Sequence, residues 1–319
     1  MPLPQDERIV GLANDLIQQF DQLFGLHPGF RPAHAKGLML TGTFTPGTGA
    51  SSLSRAPHFT RPSTPVTARF SNSTGLPLIP DNSPDANPRG FAIRFNLAEH
   101  VHTDIVSHSI DAFPTRDGKE FLEFLMAVAA SGPDAPSPSP VELFLGSHPA
   151  ALAFVQAPRP FPSSLARETY FGVTAFQFTG DSGQKRFGRY RIVPVTGNDF
   201  LSAEAVSGIA SNYHYDELAQ RVDKGPIQFR LLVQIAAPED TTDDATIHWP
   251  ESRELFELGN IELNTAVPDT LAQQKQIIFD PIPRVDGIEP SMDPLLELRA
   301  AIYLLSGRRR RAAPMEQPS

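Results

Sequence analysis

GFAIRFNL (residues 90–97) sets apolar Phe91, Ile93, Phe95 and Leu97 against Ala92, Arg94 and Asn96, the two-residue period of a strand with one buried face. Its neighbours read the same way: LMLTGTF (38–44), PVTARFS (65–71) and TDIVSHSIDAF (103–113), separated by clusters of Pro, Asn and Gly. A second group of strands is expected over TAFQFTG (174–180), GRYRIVPV (188–195), PIQFRLLVQIAA (226–237) and GNIELN (259–264). Helical spacing surrounds these groups. Residues 6–24 place Ile9, Leu12, Ala13, Leu16, Ile17, Phe20 and Leu23 on one face. GKEFLEFLMAVAAS (118–131) also reads as a helix, with VELFLGS (141–147) and SAEAVSGIASN (202–212) as short ones. A last helix starts near Asp293-Pro294, a capping residue followed by proline at the first helical position, and runs through LLELRAAIYLLS (295–306). Strand groups with helices inserted and appended imply an α+β fold whose antiparallel sheet is large enough to close into a barrel.

At 319 residues and 40% hydrophobic content, a single domain over 1–319 is expected, with a helical arm over 1–29 and a basic tail over 308–319. The 32 prolines, roughly twice the usual share, are scattered, as in a folded body with many turns. A net charge of −9 argues against nucleic acid or an anionic membrane as the main partner. Cysteine is absent, which excludes disulfides, thiolate metal sites and a cysteine nucleophile. No apolar run reaches the ~18 residues of a membrane span, and MPLPQDERIV has no signal-peptide pattern. We expect a soluble, cytoplasmic chain, periplasmic if a leader has been removed.

Three short motifs invite other readings. GDSG (180–183) is similar to the nucleophile segment of serine proteases, but between two strands it is explained by a hairpin turn. HVH (100–102) puts two imidazoles on one strand face without a third ligand at an obvious spacing, so a solvated loop is the plainer reading. RRRR (308–311) reads as a solvated terminus.

FRPAHAKG (30–37) holds His34 in an extended approach to a strand, because Pro32 disfavours a helical Arg31. Alone, this is a core histidine satisfied by hydrogen bonds. In the last helix, Arg299 and Tyr303 stand four residues apart and so share a face. An ordinary surface contact is one reading. The other is chemical: a phenol beside a guanidinium ionises more readily, and a phenolate is a ligand for ferric haem.

With that ligand in mind, the chain resembles the haem catalase superfamily, specifically the small catalase-related peroxidases, over nearly its full length. RPAHAKG (31–37) matches the distal-histidine segment and VTARFSNSTG (66–75) the strand carrying a propionate arginine and a serine. PDANPRGFAIRF (84–95) is similar to the family's D-x-R-G-F-A-x-K/R-F strand. TDIVSHSIDAFPTRDGKEFLEF (103–124) resembles the segment that delivers a distal asparagine and a haem-stacking phenylalanine. RAAIYLLSGRR (299–309) resembles the proximal R-x-x-x-Y-x-x-x-x-R motif, while YFGVTAFQF (170–178) and DDATIHWPESRELFELGNIEL (243–263) look like the smaller family in particular.

The resemblance implies a catalase-like antiparallel β-barrel with inserted and C-terminal helices, lacking the C-terminal domain of long catalases. It implies haem b bound with Tyr303 as the iron ligand, and Arg299 holding its phenolate. Arg31, Arg69 and Arg308 would meet the propionates, with Phe113 and Phe121 against the ring. His34 would be the distal acid–base, assisted by Ser71. One position departs from the family: His108 stands where catalases carry asparagine, with Ser107 or Ser109 there if the alignment is shifted by one, and a larger imidazole disfavours efficient dismutation. The implied activity is a haem peroxidase that reduces hydrogen or organic peroxides with small organic electron donors, with weak catalase activity and a homodimer among its assemblies. The rivals are a lipid-hydroperoxide-converting enzyme resembling allene oxide synthase and a haem-binding module without turnover.

Overall fold

The first strand group becomes an antiparallel meander of β1 (Gly37–Pro46), β2 (Thr64–Ser71), β3 (Gly90–Ala98) and β4 (Val101–His108), each paired with the next. The computed structural model describes residues 2–268 and 270–314. His108, the last residue of β4, pairs with Phe171 of β5 (Tyr170–Phe171). After β6 (Phe176–Thr179) comes β7 (Lys185–Pro194), which pairs with β5 on one side and β8 (Ile227–Ile235) on the other. β8 pairs with β9 (Leu255–Ala266), and β9 returns to β1. Eight strands therefore close an antiparallel barrel, with β6 and β10 (Ile288–Pro290) laid beyond β7 as a short extension. Closure leaves those eight strands without the exposed edge that an open sheet presents.

The alternation along GFAIRFNL is real: Phe91, Ile93 and Phe95 are buried, and Ala92, Arg94 and Asn96 are partly open. Phe44, Phe70, Phe178 and Phe229 join them in the barrel core. Phe70 and Phe91 are register partners and stack with centroids 4.2 Å apart at 6°.

The helices are inserted between and appended to the strands, and Phe59, Leu218 and Ala300 from them join the same core. α1 (Glu7–Phe24) starts at Asp6, whose carboxylate accepts from the Arg8 amide. Two short turns, α2 (Ala50–Leu53) and α3 (Pro57–Thr60), follow β1. α4 (Gly118–Ala129), α5 (Pro140–Ser147) and α6 (Pro149–Gln156) fill the β4–β5 connection, and α7 (Ala203–Ser207) and α8 (Tyr213–Lys224) the β7–β8 one. α9 (Thr270–Gln276) and α10 (Leu295–Ala312) complete the chain. α1, α4 and α10 bury a common seam of Ala13, Leu16, Leu125, Leu298 and Ala301. Gly118 permits their approach, because a Cβ there would come within 1.9 Å of Leu298 Cδ2.

Several expectations are corrected. The strand over 103–113 stops at His108, and 109–113 is a loop. α6, α8 and α9 were not anticipated. α8 buries Tyr213, His214 and Tyr215 beside Leu218 and Val222, so its inner face is too polar to show as an apolar stripe. The basic segment from 308 is not a solvated tail up to 312: α10 continues to Ala312, Arg309 pairs with Asp21, and Arg310 is 3% exposed. Residues 315–319 of that expected tail lie outside the described residues. HVH is split by the β3–β4 turn, where His100 takes φ +58°, and GDSG makes the β6–β7 hairpin. No helix among the described residues is long and apolar enough to cross a membrane, and no group of three His, Cys, Asp or Glu there is placed to hold a metal.

Candidate active site

Strand register assembles one row of residues at a rim of the barrel. Gly37 pairs with Ser71, Ser71 with Gly90, Gly90 with His108, and His108 with Phe171. His34, three residues before β1, adds its ring to this row with Nδ1 3.1 Å from Ser71 Oγ. Its backbone is left-handed, φ +57°, which a non-glycine residue keeps only when neighbours fix it. They do so here. Its N–H donates to Ser73 O at 2.8 Å and its carbonyl accepts from Arg69 Nη2 at 2.8 Å. Gly90 leaves the space the ring occupies, since a Cβ there would lie 2.4 Å from Ser71 Oγ and 2.9 Å from His34 Nδ1.

Burial, helped by the positive charge of Arg69 and the nearness of His108, Arg31 and Arg299, holds the His34 pKa down at about 3. His108 is held down at about 4, first by burial and then by Arg299. The two imidazoles are therefore neutral at ordinary pH. The Ile110 N–H donates to His108 Nδ1 at 3.3 Å, which leaves the ring proton on Nε2.

A second feature is a group of guanidiniums. Arg69 Nε donates to Gln274 Oε1 at 2.7 Å, and Gly37 gives its head room, because a Cβ there would meet Nη2 at 2.4 Å. Arg31 donates to the carbonyls of Gln274 and Ile277, and Arg310 Nη2 donates to the same Ile277 carbonyl at 2.8 Å. None of the three forms an ion pair with a carboxylate among the described residues. Burial, then Arg69 and Arg310, pulls the Arg31 pKa down, and burial, then Arg69, does the same to Arg310. Cations that repel one another and have no carboxylate partner among the described residues make a place for an anion.

Tyr303 of α10 lies near Arg31, half-buried, with the Arg299 guanidinium 5.9 Å from its ring centroid. Its phenol oxygen has no hydrogen-bond partner among the described residues. Phe113 and Phe121 have ring centroids 5.1 Å apart. Of the residues singled out from sequence, the fold thus gathers His34, Ser71 and His108 in one place and Arg31 and Arg69 in another. Arg299 lies near enough to bias both imidazoles. Arg308 is the exception: it is exposed, and Arg310 occupies the buried position beside Arg31. Gly37, Gly90, Gln274 and Arg310 were missed. The two glycines sat inside the quoted motifs, but Gln274 carried no signal.

The family model described as Catalase matches residues 27–317. A catalase-related peroxidase of Mycolicibacterium paratuberculosis is 34% identical over 88% of this chain and 89% of its own. Another, of Synechococcus elongatus, is 31% identical over 93% and 88%. Catalase-2 of Bacillus subtilis is 28% identical over 86% of the chain but only 42% of its own length. Among solved structures, a fungal catalase superposes with a TM-score of 0.79 at 23% identity, covering 97% of this chain and 64% of that one.

Proposed function

The chain belongs to the catalase family, and from that membership we propose a haem-dependent peroxidase that reduces hydrogen or organic peroxides with small organic electron donors. Its relatives named catalase-related peroxidase mark it as an oxidoreductase acting on peroxide. One observation carries the haem reading: Arg31 lies near Arg69, Arg310 and Tyr303, and among the described residues the three arginines have no carboxylate partner and the tyrosine oxygen no hydrogen-bond partner. That set fits a flat metal complex with two carboxylates. Arg31, Arg69 and Arg310 would hold the carboxylates, and Tyr303 the iron, with Arg299 over its ring. Phe113 and Phe121 would lie against the ring. When bound, haem b supplies an iron centre that exchanges electrons with peroxide.

The chain's own residues then handle protons. Neutral His34 accepts the proton of one peroxide oxygen and returns it to the other as the O–O bond breaks, a general acid–base step. Ser71 holds its ring through Nδ1, so the working nitrogen is Nε2. His108 presents an Nε2–H donor to orient peroxide. It is bulkier than the amide of long catalases, so a second peroxide is poorly placed and oxygen release is weak, whereas electrons from an organic donor need no such placement. The test is spectroscopic: the purified protein should bind haem and change its absorption on adding peroxide. Tyr303→Phe should lose haem or change its spin state. Wild-type absorption and EPR spectra from that variant would remove Tyr303 from the iron.

A further inference from the structure

Between the loop that follows β4 and helix α6 lies a cavity of about 230 Å³, open to solvent on one side. Its floor is Ile110 and Ala112, each 7% exposed, and Phe154 of α6 lies along one wall. Ala153 and His248 form its exposed rim, and Asp111 is the one carboxylate lining it. Asp111 Oδ2 accepts from Arg191 Nη2 at 2.6 Å, while Oδ1 has no partner among the described residues. The floor is tied to the site already described, because Ile110 is the residue whose N–H bonds His108.

Size and polarity narrow the occupant. A dry cavity of ~150 Å³ takes benzene, so this one has room to bury a single ring with a small substituent. Apolar walls with a free carboxylate oxygen suit a neutral ring bearing an O–H or N–H donor. An anionic reductant is disfavoured by Asp111 and by a net charge of −9.

We propose that this cavity seats the electron donor, a single-ring phenol or aniline, an assignment that rests on the peroxidase reading above. Two phenols reduce one peroxide. Each phenol O–H breaks, its proton passing to Asp111 Oδ1 and on to solvent, while its electron would reach the haem past the 109–112 segment. The two peroxide oxygens take two protons back from solvent as the O–O bond breaks, so one peroxide gives two waters and two phenoxyl radicals leave.

Binding can be read without turnover, because the chain's one tryptophan, Trp249, directly follows His248 of the rim. Guaiacol added to the purified protein in the absence of peroxide should quench Trp249 fluorescence saturably. Ala153→Leu, at an exposed helix position that leaves the core intact, should fill the cavity, abolish that saturation and raise KM for guaiacol at least ~10-fold. The kcat/KM for peroxide should stay within about twofold. Ascorbate should neither saturate nor compete. Quenching that never saturates, or an unchanged guaiacol affinity in Ala153→Leu, overturns the assignment. Failure of the peroxidase reading looks different. A protein that takes up no haem, or leaves peroxide intact, would overturn the donor role even with a saturable phenol site.

Discussion

His34 shows how the surroundings fix one residue of the candidate site. Its strained backbone is pinned by bonds from Arg69 and to Ser73, its ring by Ser71, and the space for that ring by Gly90. The same burial that fixes the ring lowers its pKa to about 3, far from the ordinary imidazole value near 6.5. The sign of the pH effect follows. A histidine lowered in this way stays neutral, hence competent as a base, at every pH above about 3. Peroxide consumption should therefore be level from pH 5 to pH 8 when followed by stopped flow. A fall centred on pH 6.5 would mean that the imidazole is solvated and titrates normally. His34→Ala should retain haem and slow the reaction ~10²-fold or more, as expected from losing a positioned general base.

At the scale of elements, α10 decides where the cations fall. Its regular turn carries Arg299 and Tyr303 to one face, and that much was legible from a four-residue spacing. The same rotation puts Arg308 toward solvent and Arg310 inward, against the carbonyls of Lys275 and Ile277 at the end of α9. Sequence reading chose the first arginine of a run of four, because spacing within a motif cannot say which residue of a charged run meets a helix packed from elsewhere in the chain. Gln274 was invisible for a related reason: its role exists only once α9 lies beside Arg69 and Gly37. The strands were legible because an alternating pattern and a buried face are local properties, whereas α8 hid behind tyrosines and a histidine that bury like apolar residues. A direct comparison follows. Arg310→Ala should lower haem retention on gel filtration, by roughly the 10-fold or more expected when a charge-assisted pair is lost. Arg308→Ala should leave it unchanged. The opposite ranking would restore Arg308 to the site and displace Arg310.

At the scale of the whole molecule, the closed barrel keeps several imidazoles neutral. Burial lowers the pKa of His34, His58, His108 and His214, while burial raises Glu168 to about 7 and Asp293 to about 6. The two sets act oppositely on stability. Each buried histidine takes up a proton on unfolding once pH drops below about 6.5, and so disfavours the fold in acid. Each raised carboxyl releases one on unfolding, and so favours the fold over part of the same range. The histidines outnumber the carboxyls, so stability should fall as pH is lowered from 6.5 toward 4.5. His58 isolates one such contribution away from the candidate site. It is 1% exposed among Phe44, Phe59 and Phe95, its Nδ1 has no partner among the described residues, and burial, then Arg61, holds its pKa at about 3. Between 6.5 and 3 the unfolded chain binds a proton there that the folded chain does not. His58→Phe keeps a flat ring in an aromatic nest and removes that proton. The stability of the variant relative to the parent, from urea unfolding at equal haem loading, should therefore grow by about 2 kcal/mol between pH 7.5 and pH 5. A difference that is constant across that range would show that His58 is protonated equally in both states, and that the core of the barrel admits water at this point.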